Sequence, residues 1–288
     1  MLKQRLLTAA ILVPLVVWGI LRLPTPYLAL ILAAFIAQGA WEWTGFMKMN
    51  VAWQRVLYVV TVVLGLACIW IYQQDFASGV GTWLALPTLS LFWWLLAMVW
   101  VLSYPAAVKR WSSTAVLAII GLFVLLPTWV AVVGLHASGE QGPLLVMYLL
   151  SLIWVADSGA YFGGRKWGKR KLAPAVSPGK SWEGVISGAA LSVAYAIGAA
   201  QVLDLPGNQW PLFVVLSLVT VFFSVLGDLT ESMFKRHAGI KDSGTLLPGH
   251  GGVLDRIDSV TAAAPVFVVG YWLAGFNGLN HLTGISVS

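Results

Sequence analysis

Charge is what this chain has least of. Only 10% of its 288 residues are Asp, Glu, Lys or Arg, against 59% that are hydrophobic. Soluble domains carry about 25% charged residues, so a water-covered globular surface is excluded and a polytopic membrane protein is implied. Cysteine occurs once, at Cys68. That excludes an intramolecular disulfide and a thiolate metal cluster, and its place in the apolar run Val59–Tyr72 predicts a buried, inert thiol. A serine nucleophile elbow is missing, as is any cysteine–histidine pair. Internal repeats, low-complexity linkers and a soluble domain are missing too. Tryptophan, by contrast, is plentiful at sixteen residues, which reads as interfacial anchoring and lipid-facing packing.

Apolar runs of bilayer length recur at about Leu6–Leu21, Tyr27–Met47, Val56–Tyr72, Thr82–Leu102, Ala115–Leu135, Pro143–Phe162, Gly184–Leu203, Trp210–Gly227 and Val260–Gly275. They are continuous rather than alternating, and lipid offers backbone groups no partner, so each reads as a helix. The expected fold is all-α, a polytopic integral membrane protein with about nine transmembrane helices. The first run reads as a retained helix, because no small-residue cleavage site follows it. If the N-terminus lies on one side, that side receives sixteen of the seventeen basic residues, and Arg22 alone falls on the other. The positive-inside rule then puts the N-terminus in the cytoplasm and the C-terminus outside. Residues 1–142 read as a five-span scaffold. Residues 143–288 read as a four-span catalytic region with two long cytoplasmic segments, 163–183 and 228–258.

The scarce charge is concentrated. Between Gly227 and Ser259 lie five of the eleven carboxylates and four of the seventeen basic groups. If the helix ending near Gly227 continues, Asp228, Glu231, Ser232 and Lys235 share one face, with Arg236 at its end. An intrahelical Glu231–Lys235 pair would be the plain reading. An idle charge at the apolar boundary is costly, however, and Asp228 sits there. Asp255 and Asp258 lie one turn apart before the last run, flanking Arg256. Asp258 suits the cap of that last helix; Asp255 has no such role. Two carboxylates from separate helix ends, Asp228 and Asp255, suit Mg2+, which takes one or two carboxylates, keeps waters and accepts phosphate oxygens. Between them Lys241, His250, Gly251 and Gly252 occupy a glycine-rich stretch whose amides can approach a phosphate. A flexible loop is the alternative. Glu42 reads as a buried pairing acid and is assigned no role.

The other segment opens with Asp157 and Tyr161 at the end of the sixth run, where an acid is expected to face the interior. The basic run Arg165–Lys171 suits anionic lipid headgroups. Its near match to a P-loop fails, because Arg170 stands where Ser or Thr is required. Ser177, Lys180, Ser181 and Glu183 begin the seventh run, and a helix N-terminus beside a lysine is an anion seat. An ordinary cap by Ser181 is equally consistent with these residues.

Ser232–Met–Phe–Lys–Arg236, then Lys241–Asp242, Gly244, Pro248 and His250–Gly–Gly–Val–Leu–Asp–Arg–Ile–Asp258, resembles the signature of the phosphatidate cytidylyltransferase (CDP-diacylglycerol synthase) family. Asp157–Ser–Gly–Ala–Tyr161, Ser177–Pro–Gly–Lys180 and Gly227–Asp–Leu–Thr–Glu–Ser232 are similar to further motifs of that family. The likeness spans about residues 151–270. It implies CTP and phosphatidate as substrates, CDP-diacylglycerol and pyrophosphate as products, and Mg2+ held by Asp228 and Asp255. It also implies phosphate contacts from Lys180, Lys235, Arg236, Lys241 and Arg256, a second, monovalent cation such as K+, and a homodimer. The bacterial inner membrane is the expected location, with the site facing the cytoplasm and no nucleic-acid partner. A carrier of anionic lipids or nucleotides is the rival class, but it predicts polar residues at mid-membrane and paired halves. A cytidylyltransferase for another lipid phosphate is the nearer alternative.

Overall fold

A computed structural model describes residues 2–75, 81–246 and 251–276. Its helices are α1 (Leu2–Arg22), α2 (Thr25–Phe46), α3 (Ala52–Asp75), α4 (Gly81–Leu102), α5 (Val108–Trp111), α6 (Thr114–His136), α7 (Gly142–Trp167), α8 (Trp182–Val202), α9 (Trp210–Ala238) and α10 (Leu254–Leu273). Among the described residues, seven of them are long and apolar enough to cross a membrane: α2, α3, α4, α6, α7, α8 and α9. This is the helical, polytopic architecture that the apolar runs predict. An antiparallel hairpin is an addition to it. Strands β1 (Lys171–Ala173) and β2 (Ser177–Ser181) pair between α7 and α8, with Lys171 opposite Ser181 and Ala173 opposite Ser177.

Two helix ends position the charged residues. Helix α9 continues well past Gly227 and stops at Ala238, where Gly239 takes a left-handed conformation (φ 75°). The Gly239 and Ile240 amides bond back to the carbonyls of Arg236 and Lys235, the double bond that closes many helices. Helix α10 begins at Leu254, six residues before the apolar run that predicts it. Hydropathy places the start late because its first five residues include Asp255, Arg256 and Asp258.

Packing splits into two buried clusters. One joins α2, α4, α5, α6 and α9 through Trp43, Phe46, Trp94, Trp111 and Phe234. The Trp43 and Phe234 rings meet edge to face at 5.4 Å, and Trp111 meets Phe234 at 5.2 Å. The other joins α6, α7, α8, α9 and α10 around Tyr148, Phe213 and Phe267. Hydroxyl pairs cross this second cluster: Tyr148 with Ser217 at 2.5 Å and Ser151 with Tyr195 at 2.5 Å. Each serine also reaches a carbonyl of its own helix, Ser217 that of Phe213 and Ser151 that of Met147, so the pairs link helices across an apolar interior.

The structure corrects two expectations. Six of the sixteen tryptophans (Trp43, Trp93, Trp94, Trp100, Trp111 and Trp129) are buried inside the protein rather than facing lipid. Cys68 is exposed on α3, not buried. An apolar run does not say which of its faces meets lipid and which meets protein.

Candidate functional site

Close helix contacts bring the charged residues together. Gly227 of α9 lies against the carbonyl of Asp258 in α10, with no room for a methyl group between them. The next residue, Asp228, is thereby an electrostatic neighbour of Asp258. Helices α7 and α8 meet in the same manner: a Cβ on Gly188 would stand 2.6 Å from the Ala156 carbonyl oxygen. Small residues let helices in a membrane approach this closely. Here the approach sets Asp157, on α7, beside Lys180 and Asp228.

Strand β2 carries Lys180 to α9, where its ammonium lies 2.7 Å from Asp228 Oδ2. Ser232, one turn on, donates to Asp228 Oδ1 at 3.2 Å. Both side chains of the Lys180–Asp228 pair are partly exposed, 24% and 32%, so the pair contributes on the order of 1 kcal/mol or less and opens readily. A second tie fixes the hairpin. Arg236 Nε donates to the Val176 carbonyl at 3.2 Å, leaving the rest of an exposed guanidinium outside that bond. Ser177 sits at the base of β2. Ser181 is buried and caps α8, its hydroxyl accepting from the Gly184 amide at 3.2 Å, which is the ordinary capping role. Glu183 holds the chain before the hairpin, accepting the Lys169 and Arg170 amides and the Arg170 guanidinium.

Deeper along α9, Lys235 stands between two acids. Its ammonium is 2.6 Å from Asp255 Oδ1 and 3.3 Å from Glu231 Oε1. The shorter contact is a hydrogen bond; both Glu231 oxygens are buried without a hydrogen-bond partner among the described residues. Glu231 and Asp258 line one small cavity with Trp43, Gly227, Phe234 and Thr261. Asp255 Oδ2 accepts the amides of Ser243 and Gly252 and the Ser243 hydroxyl, at 2.9, 2.8 and 2.9 Å. Asp255 therefore ties the Ser243 loop and Gly252 to the first turn of α10 without capping the helix. Asp258, expected as the cap of α10, lies inside the helix, and among the described residues its carboxylate accepts the Ser259 amide at 2.8 Å. The expected cap fails because the helix begins earlier than hydropathy predicts.

Other expected site residues sit around this cluster. Asp157 is exposed rather than interior, and Tyr161 beside it is 60% exposed. The face of α7 that packs on α8 is the glycine face, which leaves these two side chains to the outside. Lys241 and Arg256 are exposed. Gly251 is left-handed at φ 82°, and a Cβ there would come within 2.6 Å of Asp255 Oδ2. His250 lies outside the described residues. Glu42, assigned no role from sequence, reaches the start of α10 and the Ser243 loop. The only sequence signal for it is an acid in the middle of an apolar run.

The cluster gathers five carboxylates (Asp157, Asp228, Glu231, Asp255, Asp258) and pairs them with two ammonium groups, Lys180 and Lys235. Among the described residues, no three Asp, Glu, His or Cys side chains form a ready cage for a metal. Mg2+ requires no cage, since one or two carboxylates suffice when water and phosphate complete the shell. The excess of negative charge, with the buried Glu231 carboxylate facing one ammonium at 3.3 Å, fits a cation, and the lysines and guanidinium groups fit phosphates.

Residues 3–274 match the family model described as the cytidylyltransferase family. A phosphatidate cytidylyltransferase from Pseudomonas aeruginosa is 44% identical over 279 residues, covering 96% of this chain and 99% of that protein. One from Haemophilus influenzae is 44% identical over 287 residues, covering 94% and 99%. One from Brucella suis is 43% identical over 157 residues, about half of each chain (54% and 57%).

Proposed function

The chain belongs to the cytidylyltransferase family, and we propose that it is a phosphatidate cytidylyltransferase, converting CTP and phosphatidate to CDP-diacylglycerol and pyrophosphate. The observation that carries this reading is an acidic cluster with two paired lysines at the junction of α9, α10 and the β-hairpin, in a chain alike from end to end to proteins of that name. A phosphate oxygen of phosphatidate forms a bond to the α-phosphorus of CTP, and the bond from that phosphorus to the β-phosphate bridge breaks. No enzyme nucleophile is required, because the lipid supplies its own.

The chemical task is to hold two polyanions in contact and in line, and orientation supplies much of the rate. Lys180 is now paired with Asp228 through a contact worth little, and it can pass to a substrate phosphate. Arg236 has donors left beyond its bond to Val176, and Lys241 and Arg256 are exposed. These cations would offset the charge that grows on pyrophosphate. Asp228 and Asp255 would hold Mg2+, and Glu231 and Asp258, which line a small cavity together, would be the acids nearest a monovalent cation such as K+. Such a metal supplies charge neutralisation on transferring phosphates. Tyr161 and the exposed face of α7 lie where a lipid headgroup would approach from the membrane side.

In this reading the chain has nine spans, with α1 and α10 crossing as well, and it forms a homodimer in the bacterial inner membrane. The excess of basic residues on one side of the spans supports a cytoplasmic N-terminus and site and an external C-terminus. Residues 1–142 would serve mainly as scaffold, and residues 143–288 would carry the chemistry.

Purified protein with labelled CTP, Mg2+ and a panel of lipid phosphates tests this reading. Pyrophosphate release that depends on phosphatidate is expected. Release with a different lipid phosphate alone would assign another substrate. Movement of lipid or nucleotide across vesicles without release would make the chain a carrier.

A further inference from the structure

Glu42 belongs to α2, in the half of the chain expected to be scaffold, and it is only 3% exposed. A buried carboxylate is costly unless its oxygens are hydrogen bonded. Four donors converge on this one. Oε1 accepts from the Val253 amide at 3.0 Å and from Gln38 Nε2 at 3.0 Å. Oε2 accepts from the Leu254 amide at 2.8 Å and the Ser243 hydroxyl at 3.0 Å. The first amides of a helix have no acceptor within it, and Val253 offers α10 no side-chain cap of its own. The cap of α10 is supplied instead by a residue more than two hundred positions earlier.

The surroundings are shaped to this carboxylate. A Cβ on Gly244 would come within 2.6 Å of Glu42 Oε1, and one on Gly252 would overlap Glu42 Oε2 and Ser243 Oγ. Trp43, the adjacent residue, is fixed at both ends. Its Nε1 donates to the Leu117 carbonyl at 2.8 Å, and its ring packs on Phe234 of α9. Ser243 Oγ is shared, standing 3.0 Å from Glu42 Oε2 and 2.9 Å from Asp255 Oδ2, and its single proton serves one of the two carboxylates at a time. One hydroxyl thus spans the buried acid of α2 and the site acid of α10. Asp255 in turn holds Lys235, and Lys235 neighbours Glu231.

We infer that Glu42 is a positioning residue for the site: it sets the first turn of α10 and, through Ser243, aims Asp255. The kinetic part of this inference rests on the cytidylyltransferase reading; the structural part does not. Glu42→Gln is nearly isosteric, but it turns an NH2 group toward one of two donors that need an acceptor. It is expected to lower kcat on the order of 10-fold to 100-fold, as small misplacements near reacting groups do. KM for CTP should change little, since aim rather than ground-state binding is lost. Ser243→Ala removes the bridge and keeps the cap. It should lower kcat in the same direction by less.

Hydrogen exchange read by mass spectrometry in detergent gives a readout free of activity. In Glu42→Gln, peptides covering 243 and 252–254 should exchange faster while those of α7 and α8 keep their protection. In Ser243→Ala, protection at 253–254 should persist. A folded Glu42→Gln protein with unaltered exchange at 252–254 and unaltered kcat would overturn the inference. So would a loss of activity that only tracks the fraction of folded protein. Should Glu42→Gln fail to fold, an unchanged kcat in Ser243→Ala overturns the link to Asp255. If the wild type releases no pyrophosphate with any lipid phosphate, the functional reading has failed, and exchange in Glu42→Gln alone decides the role of Glu42.

Discussion

Gly227 of α9 is seated against the backbone carbonyl of Asp258 in α10, and the fit leaves no space for a side chain. Four of the five carboxylates of the site depend on that contact, because it fixes the distance between the two helices that carry them. Gly227→Ala must push the helices apart or bend one of them. Overpacking of this kind costs about 1–3 kcal/mol. The expected result is a lower unfolding temperature in detergent and a loss of turnover larger than the loss of folded protein. Wild-type turnover in this variant would mean that the helix spacing is irrelevant to the site.

Lys235 is the cation on which the buried end of the cluster depends. Its side chain is 14% exposed, and the two acids beside it, Glu231 and Asp255, are each 6% exposed. Removing one partner of a buried ion pair costs roughly 3–5 kcal/mol, because the other charge is left behind. Lys235→Met should therefore destabilise strongly. Adding Glu231→Gln should recover part of the loss, since it removes one of the stranded charges. Thermal unfolding of the single and double variants checks this. A double variant no more stable than the single would contradict the charge account.

Lys180 presents the opposite balance. Its pair with Asp228 is partly exposed, so its share of stability is small, on the order of 1 kcal/mol or less. Its role in the proposed reaction is large. Lys180→Ala should unfold within a few degrees of wild type yet lose turnover by roughly 10²-fold or more, the scale seen when one stabilising donor is removed. Lys180→Arg should recover some of it. Equal turnover in Lys180→Ala and wild type would remove Lys180 from the site.

Much of the fold was legible in the sequence because lipid simplifies the reading. Apolar runs of bilayer length become helices with few alternatives, and α2, α3, α4, α6, α7, α8 and the first part of α9 lie where the runs predict them, while the four-residue α5 matches no run. The charged stretch from Gly227 to Ser259 announced itself as expensive in such surroundings. What the sequence concealed has physical causes. Hydropathy cannot place the start of a helix whose first turn is charged, so α10 began six residues early and Asp258, expected as its cap, fell inside it. The short strands of the hairpin lie within a basic and glycine-containing stretch with no clear alternation. Trp94 and Trp111 read as lipid-facing because burial depends on tertiary neighbours. Glu42 stayed silent for the same reason: its partners, Ser243, Val253 and Leu254, are brought to it only by the packing of α2 on α9 and α10.

The central claim is that Asp228 and Asp255 jointly serve the transfer of CMP to phosphatidate. The direct measurement is Mg2+-dependent pyrophosphate release by purified Asp228→Asn and Asp255→Asn, each confirmed as folded by its unfolding transition. Both variants should fall by roughly 10²–10³-fold or more, the scale of losing a principal electrostatic group. Near-normal release by both folded variants would contradict the account.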